Sequence, residues 1–290
     1  MGITDDVRAS AARIAASARW VSIDPDRIAD VEPGPPPELD PETHYLEGTR
    51  DDVAAYLLTL DAINFGSGWF PTLDKRAGKS GYFTVAWGLA DRFRAGGPYT
   101  GDELRAMTGA QMAHTMRQRE DHELMDLFAQ ALNQLGAFLG ERTPIQAIEA
   151  ADGSAERLAE QLAAGMPFFA DEGFYKRAQI TPADLHLAGI VQFGDIDRLT
   201  IFADNLVPHV LRCDGVLTYH PDLARAIDSE ELLPPGDQER EIRACAVHAC
   251  EQIAARLGVP PRTLDMWLWN RGQAPRYKAR PRHRTRTVFY

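Results

Sequence analysis

Residues 180–212, ITPADLHLAGIVQFGDIDRLTIFADNLVPHVLR, contain two apolar stretches on either side of a short polar turn. In residues 180–192 and 199–212 the apolar side chains recur at three- and four-residue spacing, which predicts two helices. The sequence FGDID, residues 193–197, is short enough to join them as a turn. The spacing therefore predicts a pair of helices in the second half of the chain.

Helical periodicity continues on both sides of this pair. We expect helices over residues 3–20, 50–63, 83–93, 101–107, 121–139, 154–165, 239–257 and 261–269. Because no run of regularly spaced alternating strands is present, the sequence predicts a mainly α fold with few or no strands. We expect residues 1–290 to form a single enzyme unit, or two fused helical lobes (about 1–165 and 166–270), with a basic C-terminal tail, 271–290.

Charge is distributed unevenly along the chain. The tail contributes seven positive charges and no acid to a total net charge of −11, so the other 270 residues carry −18. Such a body would repel DNA or RNA, whose binding depends on neutralising many phosphates. A small ligand with one phosphate is still compatible with this charge. The alternative interpretation of the tail is a solubilising or disordered basic end.

Several common functional motifs are absent from the sequence. The eight histidines lack HExxH or HxH pairing and the three cysteines lack CxxC spacing, so neither a metal nor a disulfide framework is predicted. No GxGxxG, P-loop lysine or GxSxG motif is found, and we predict no cofactor. Because no apolar stretch could span a bilayer or act as a secretory signal, we expect a cytoplasmic protein without a membrane partner, by default a monomer.

Asp204 is the strongest candidate for catalysis. It lies inside the otherwise apolar run LTIFADNLVPHVLR, where a buried carboxylate is costly unless it has a partner or a chemical role. On a helix, Asn205 and His209 would cluster with it within two turns. The alternative is that Asp204 caps a helix broken near Pro208.

A second candidate segment is LDAINFGSGWFP, residues 60–71. Here Asn64, Phe65 and Trp69 surround two glycines, so that amide and aromatic groups can point into one space that suits a planar base. The alternative is a helix end followed by aromatic core residues.

A third segment, FFADEGFYKRAQI at residues 168–180, combines four aromatic residues with Lys176 and Arg177. Stacking surfaces beside fixed positive charge could hold a base or a phosphate. The alternative is a buried aromatic cluster with a solvated Lys–Arg pair.

A fourth segment is LDMWLWNRG, residues 264–272. Its four-residue spacing places Asp265 and Trp269 on one helical face, where a carboxylate beside an indole could hold a purine-like ring. An aspartate that stabilises the first turn of a helix is the competing interpretation.

Together these segments resemble the queuosine salvage protein family, the queuosine 5'-phosphate N-glycosylases. The resemblance is carried, in order along the chain from about residue 45 to 271, by LDAINFGSGWFP, GYFTVAWGLADR, FYKRAQI, LTIFADNLVPHVLR, EIRACAVHACEQI and LDMWLWNRG. That family looks related to the helix-hairpin-helix DNA glycosylases, which implies a helical DNA-glycosylase-like architecture. The chain lacks the glycine-rich hairpin with which DNA-binding members hold backbone phosphate, in agreement with its acidic body.

The resemblance implies hydrolysis of the bond between ribose C1' and the 7-deazaguanine base queuine in queuosine 5'-monophosphate, for queuine salvage and tRNA queuosine modification. Asp204 would be the catalytic carboxylate. The implied substrate-binding residues are Asp265 and Asn270 for the polar edges of the base, Phe65, Trp69 and Trp269 for its faces, Lys176 and Arg177 for the phosphate, and also Asn64 and Phe202.

Two other functions stay open from the sequence. A lesion-specific DNA glycosylase would share Asp204 but would need a basic duplex-binding face, against which the charge argues. A non-catalytic module that binds queuine or a nucleotide would use Asp204 only for recognition and would release no base.

Overall fold

The computed structural model describes residues 2–290 and is mainly helical, as predicted. Its helices are α1 Ile3–Ala16, α2 Pro25–Ile28, α3 Arg50–Ala62, α4 Gly81–Gly96, α5 Gly101–Arg105, α6 Gly109–Met116, α7 Glu123–Leu139, α8 Pro144–Glu149, α9 Ala155–Gly165, α10 Lys176–Leu187, α11 Val207–Cys213, α12 Pro221–Asp228, α13 Asp237–Leu257, α14 Pro261–Arg271 and α15 Pro275–Lys278. Two short strands, β1 Val21–Ile23 and β2 Leu217–Tyr219, pair antiparallel with Val21 opposite Tyr219. Among the described residues, no helix is both long enough and apolar enough to cross a membrane.

Local sequence signals set several helix ends where they were expected. The Thr100 hydroxyl accepts a hydrogen bond from the N–H of Glu103, and the Glu103 carboxylate accepts one from the N–H of Thr100, so α5 begins with a reciprocal cap. Helix α7 ends at Gly140, whose φ of 60° is readily adopted only by glycine. These two predictions are confirmed.

The helix predicted over residues 199–212 is wrong in its first half, because α11 begins only at Val207. A continuous helix would require the Val207 N–H to donate to the carbonyl of Ala203. Instead this N–H donates to the Asp204 carboxylate, and the Ala203 carbonyl accepts from the Arg243 guanidinium. Residues 199–206 are therefore a loop, here called the Asp204 loop, and Asp204 does not lie on a helix.

Two hydrophobic cores form the interior. The first is built largely from α3 to α10, and the second from α1, α11, α13 and α14, so that the N-terminal helix packs with the C-terminal ones. The Asp204 loop contributes to both cores, with Leu199 and Phe202 in the first and Ile201, Ala203 and Leu206 in the second. The expected lobe boundary near residue 165 stays a prediction.

Residues 279–290, here called the C-terminal segment, run over the body without regular secondary structure. The carbonyl of Arg284 accepts from the Leu233 N–H at 2.9 Å, and that of Tyr290 accepts from the Gly66 N–H at 3.0 Å. His283 and Thr285 are buried to 1% exposure. The interpretation of the tail as a disordered basic end is therefore wrong, since its backbone and several side chains are bonded to the body.

Candidate active site

A cavity of about 310 Å³ is lined by residues from both cores. This volume is at the lower end of the range for small-molecule sites. Eight of the ten predicted site residues line it, namely Asn64, Phe65, Lys176, Phe202, Asp204, Asp265, Trp269 and Asn270. The sequence segments thus converge on one space.

Asp204 is half-buried at the wall of this cavity. Its Oδ1 accepts hydrogen bonds from the N–H groups of Leu206, at 2.7 Å, and Val207, at 3.1 Å. No donor among residues 2–290 contacts its Oδ2. One oxygen is therefore fixed by the backbone at the start of α11, and the other is available to a molecule in the cavity.

A buried ion-pair network holds the backbone beside Asp204. The Arg243 guanidinium, on α13, donates from Nε to the carbonyl of Ala203 at 2.8 Å and from Nη1 to Asp171 at 3.1 Å. It also pairs with Glu239, and its side chain is only 3% exposed. Separating one member of a buried charge cluster leaves the other charges unpaired at a large cost in free energy. The cluster therefore restrains the position of the Asp204 loop, to which Arg243 is bonded.

Two further hydrogen bonds fix the loop on either side of Asp204. The N–H of Phe202 donates to Asp265 Oδ1 at 2.8 Å. The side-chain amide of Asn205 donates to the carbonyl of His283, in the C-terminal segment, at 3.1 Å. The loop is therefore tied both to α14 and to the last residues of the chain.

Asp265 lies on α14 and is 4% exposed. Burial, together with the nearby negative charge of Asp204, raises the pKa of Asp265 to about 8. Its carboxyl group is therefore largely protonated at neutral pH. A neutral carboxyl can donate as well as accept a hydrogen bond, which suits the edge of a base that carries a carbonyl beside N–H groups.

One wall of the cavity is aromatic. The ring of Trp269 contacts Tyr82 and Phe83 of α4, with centroids 5.4 and 5.7 Å apart. The Nδ1 of His44 donates to the carbonyl of Asp40 at 2.9 Å, so its Nε2 is the acceptor for the Tyr82 hydroxyl at 3.0 Å. Burial lowers the pKa of His44, which keeps the imidazole neutral and this arrangement intact.

The floor of the cavity contains an acidic pair beside Lys176. Asp184 lines the cavity from α10, and Asp61 of α3 lies next to it with both oxygens buried and without an N–H donor among the described residues. Burial raises the pKa of Asp61 to about 7, and burial followed by the charge of Asp61 raises the pKa of Asp184. The two carboxyl groups therefore share at least one proton at neutral pH.

Lys176 is a buried cation that faces the cavity. Its Nζ donates to the carbonyl of Asn64 at 3.1 Å, and no carboxylate lies within ion-pair distance among residues 2–290. Burial lowers its pKa, and the negative charge of Asp204 acts in the opposite direction. The ammonium group therefore has donors to spare for a ligand.

Two predicted residues do not line the cavity, which corrects their assignment. The Arg177 guanidinium is completely buried and donates to the carbonyls of Ala62, Phe168 and Val288. The indole N–H of Trp69 donates to Glu123 at 2.7 Å, and Trp69 is otherwise buried in the first core. Arg177 also lies over the ring of Phe65, which lines the cavity, with Cζ 4.6 Å from the ring centroid. His209, which the expected helix would have placed beside Asp204, also points away and binds the carbonyl of Tyr277.

Comparison with known proteins identifies the family. Residues 43–290 match the family model described as queuosine salvage protein. The chain belongs to the queuosine salvage protein family. A relative named queuosine 5'-phosphate N-glycosylase/hydrolase from Sphaerobacter thermophilus is 33% identical over 96% of this chain and 95% of its own length. Proteins of the same name from Mus musculus and Dictyostelium discoideum are 28% and 40% identical, over 85% and 40% of this chain and the same shares of their own lengths.

Other residues that line the cavity were not predicted from the sequence, although the match to the queuosine salvage family includes all but three of them. The missed polar side chains are Glu38, Asp40, His44, Ser67, Ser80, Tyr82, Asp184, Gln273, Arg282 and Tyr290, whereas Asn205 was expected beside Asp204 but was given no role. Asp184 could have been predicted, because it is an acidic residue inside the apolar run 180–192, just as Asp204 is inside the apolar run 199–212. The sequence around His44 gave no such indication, since His44 follows a proline- and acid-rich connection.

Proposed function

We propose that this chain hydrolyses the N-glycosidic bond of queuosine 5'-monophosphate and releases queuine, as the names of its relatives state for them. One observation carries the proposal: Asp204 presents a free carboxylate oxygen to a cavity of small-molecule size, with its other oxygen held by backbone N–H groups. All proposed site residues come from one chain, so a monomer would suffice.

The chemistry of the substrate explains why a fixed carboxylate is needed. Guanine glycosides leave more easily when N7 is protonated, but a 7-deaza base has a carbon at that position. The enzyme must therefore stabilise the positive charge that develops on the ribose as the bond breaks. An ionised Asp204 below C1' supplies this stabilisation electrostatically.

In the proposed reaction the C1'–N bond breaks, and its electron pair leaves with the base. Water adds to C1' from the side of Asp204, whose free oxygen orients it and accepts its proton. The base takes up one proton from solvent and Asp204 releases its proton to solvent, so that queuine and ribose 5-phosphate are the products and the carboxylate is restored. The backbone hydrogen bonds to Oδ1 keep Asp204 in place during these steps.

The base is proposed to lie against the aromatic wall. Trp269, Phe65 and Phe202 offer flat surfaces, and Asn64 is adjacent. Asp265 and Asn270 would hold the polar edge of the ring, with the neutral Asp265 carboxyl both donating and accepting. Lys176, with its unused ammonium donors, is proposed to bind the phosphate.

A long nucleic acid is a poor candidate for the substrate. The net negative charge of the body disfavours binding of a polyanion. In addition, most arginines near the C-terminus are paired with acidic residues of the body and do not form a free basic face. These pairs are Arg271 and Arg276 with Asp214, Arg280 with Asp228, Arg284 with Glu230 and Arg286 with Glu123. This argues against the DNA glycosylase alternative, which a gel-shift with damaged duplex at moderate salt would test.

The decisive experiment is incubation with queuosine 5'-monophosphate followed by chromatography of the products. We expect queuine from the parent protein, and a loss of a hundredfold or more, as an order of magnitude, in Asp204→Asn while substrate still binds. Asp197→Asn, which removes a surface carboxylate paired with Arg262, serves as the control. Binding of the substrate without any release of base by the parent would instead indicate a non-catalytic module, and turnover of Asp204→Asn within tenfold of the parent would exclude the role of Asp204.

A further inference from the structure

The C-terminal segment brings one arginine, Arg282, to the wall of the cavity. Unlike the arginines paired above, Arg282 forms no ion pair or side-chain hydrogen bond with residues 2–290. A half-buried guanidinium that lines a cavity without an anionic partner has five N–H donors available to a ligand.

The position of Arg282 is determined by its neighbours in the chain. On its C-terminal side, the His283 carbonyl accepts from Asn205, the residue after Asp204. Farther along, Arg177 donates to the Val288 carbonyl and the Gly66 N–H donates to Tyr290. The segment is therefore fixed along much of its length, and Arg282 is held at the cavity wall.

The basic side chains of the cavity indicate where the phosphate of the proposed substrate could bind. Apart from the neutral His44, its lining contains only two basic side chains, Lys176 and Arg282. Both cations are close enough to Asp204 for its negative charge to act on their pKa values, against the lowering that burial causes. A phosphate monoester that enters this space has no other cations to bind, and it must lie near Asp204 because the 5'-phosphate is a few bonds from C1'.

We propose that Arg282 binds the phosphate monoester of the substrate together with Lys176, which makes the C-terminal segment part of the active site. This inference rests on the proposed function, since it assigns one group of that substrate to a residue. The guanidinium would make paired hydrogen bonds to two phosphate oxygens, and the binding energy would orient C1' above Asp204.

The opposing interpretation is that Arg282 serves only to neutralise Asp204. The two roles differ in their dependence on substrate. A residue that binds phosphate affects only the monophosphate, whereas a partner of the catalytic carboxylate affects the free nucleoside equally.

The test compares queuosine 5'-monophosphate with queuosine on the parent protein, Arg282→Met and Arg282→Lys. We expect Arg282→Met to lower kcat/KM for the monophosphate by about thirtyfold or more, as for the truncation of one partner in a buried charge pair, and to change it for queuosine by less than about threefold. The kcat/KM of Arg282→Lys for the monophosphate should lie between the values of the parent and Arg282→Met. Arg280→Met, in the same segment but paired with Asp228 at the surface, is the matched control. An equal loss for both substrates would overturn the proposal.

Binding of inorganic phosphate, measured by calorimetry and by protection against thermal unfolding, provides a readout that does not require catalysis. The parent should bind phosphate and Arg282→Met should bind it much more weakly, with unfolding temperatures in the absence of phosphate showing that both are folded. Phosphate binding that is unchanged in Arg282→Met contradicts the assignment. If the parent releases no queuine from either substrate, the proposed function fails, while the phosphate measurement still decides the role of Arg282.

Discussion

Replacement of Asp61 by Asn should change how the stability of the protein depends on pH. In the folded protein burial raises the pKa of Asp61 from 3.8 to about 7, so the folded state keeps a proton that the unfolded state has lost between these values. Stability falls with rising pH wherever the folded state binds more protons than the unfolded one. The wild-type protein therefore loses free energy of unfolding from this group as the pH rises from about 4 to 7.

The size of the effect follows from the shift. One pH unit corresponds to about 1.4 kcal/mol for one proton, so roughly three units give a loss of about 4 kcal/mol. An asparagine side chain at this position would have the same shape and no charge, and it could donate a hydrogen bond to the neighbouring Asp184. Relative to the wild type, Asp61→Asn should therefore gain stability steadily between pH 4 and 7 and show little further gain above pH 8.

Urea denaturation of both proteins at several pH values between 4 and 8.5 measures this difference directly. Asp121→Asn, which removes an exposed carboxylate, controls for the loss of one charge. Parallel stability curves for wild type and Asp61→Asn over the whole range would refute the argument that Asp61 is protonated in the fold.

Three further predictions concern the site and its supports. Exhaustive chelation should leave queuine release unchanged, because no group of three or more His, Cys, Asp or Glu within residues 2–290 is placed to hold a metal; loss of activity that zinc restores would contradict this. Arg243→Met should lower the free energy of unfolding by about 3–5 kcal/mol because it leaves Asp171 and Glu239 buried without their cation, whereas the exposed Arg240→Met should cost much less. Gly68→Ala would put a Cβ 2.5 Å from the Thr285 carbonyl oxygen, so we expect about 1–3 kcal/mol of destabilisation by denaturation and weaker binding of the monophosphate as the C-terminal segment shifts.

The sequence predicted the helical class and most helix positions because apolar spacing and capping residues act locally. It was wrong about the Asp204 loop, since the competition for its backbone groups comes from Arg243 and Asp265, which are distant in sequence. Apolar periodicity alone could not reveal those partners.

In the candidate site, too, the residue types could be predicted from local sequence, but the direction of each side chain and the contacts between distant segments could not. Lys176 and Arg177 were assigned together, but neighbouring residues on a helix point about 100° apart, so only Lys176 faces the cavity. The packing of the C-terminal segment against the body was also not predictable, because the segment is held mainly through its backbone carbonyls rather than by an apolar pattern.

The division of the Asp204 loop between two cores makes activity sensitive to mutations far from the substrate. Leu199 and Phe202 pack in the first core, and Ile201, Ala203 and Leu206 pack in the second. A substitution that repacks either core can therefore displace the carboxylate without unfolding the protein, and a misplacement of about 1 Å can cost on the order of a hundredfold in rate. Variants selected for altered turnover should accordingly include conservative changes deep in α3, α7 or α13, at positions that no substrate atom touches.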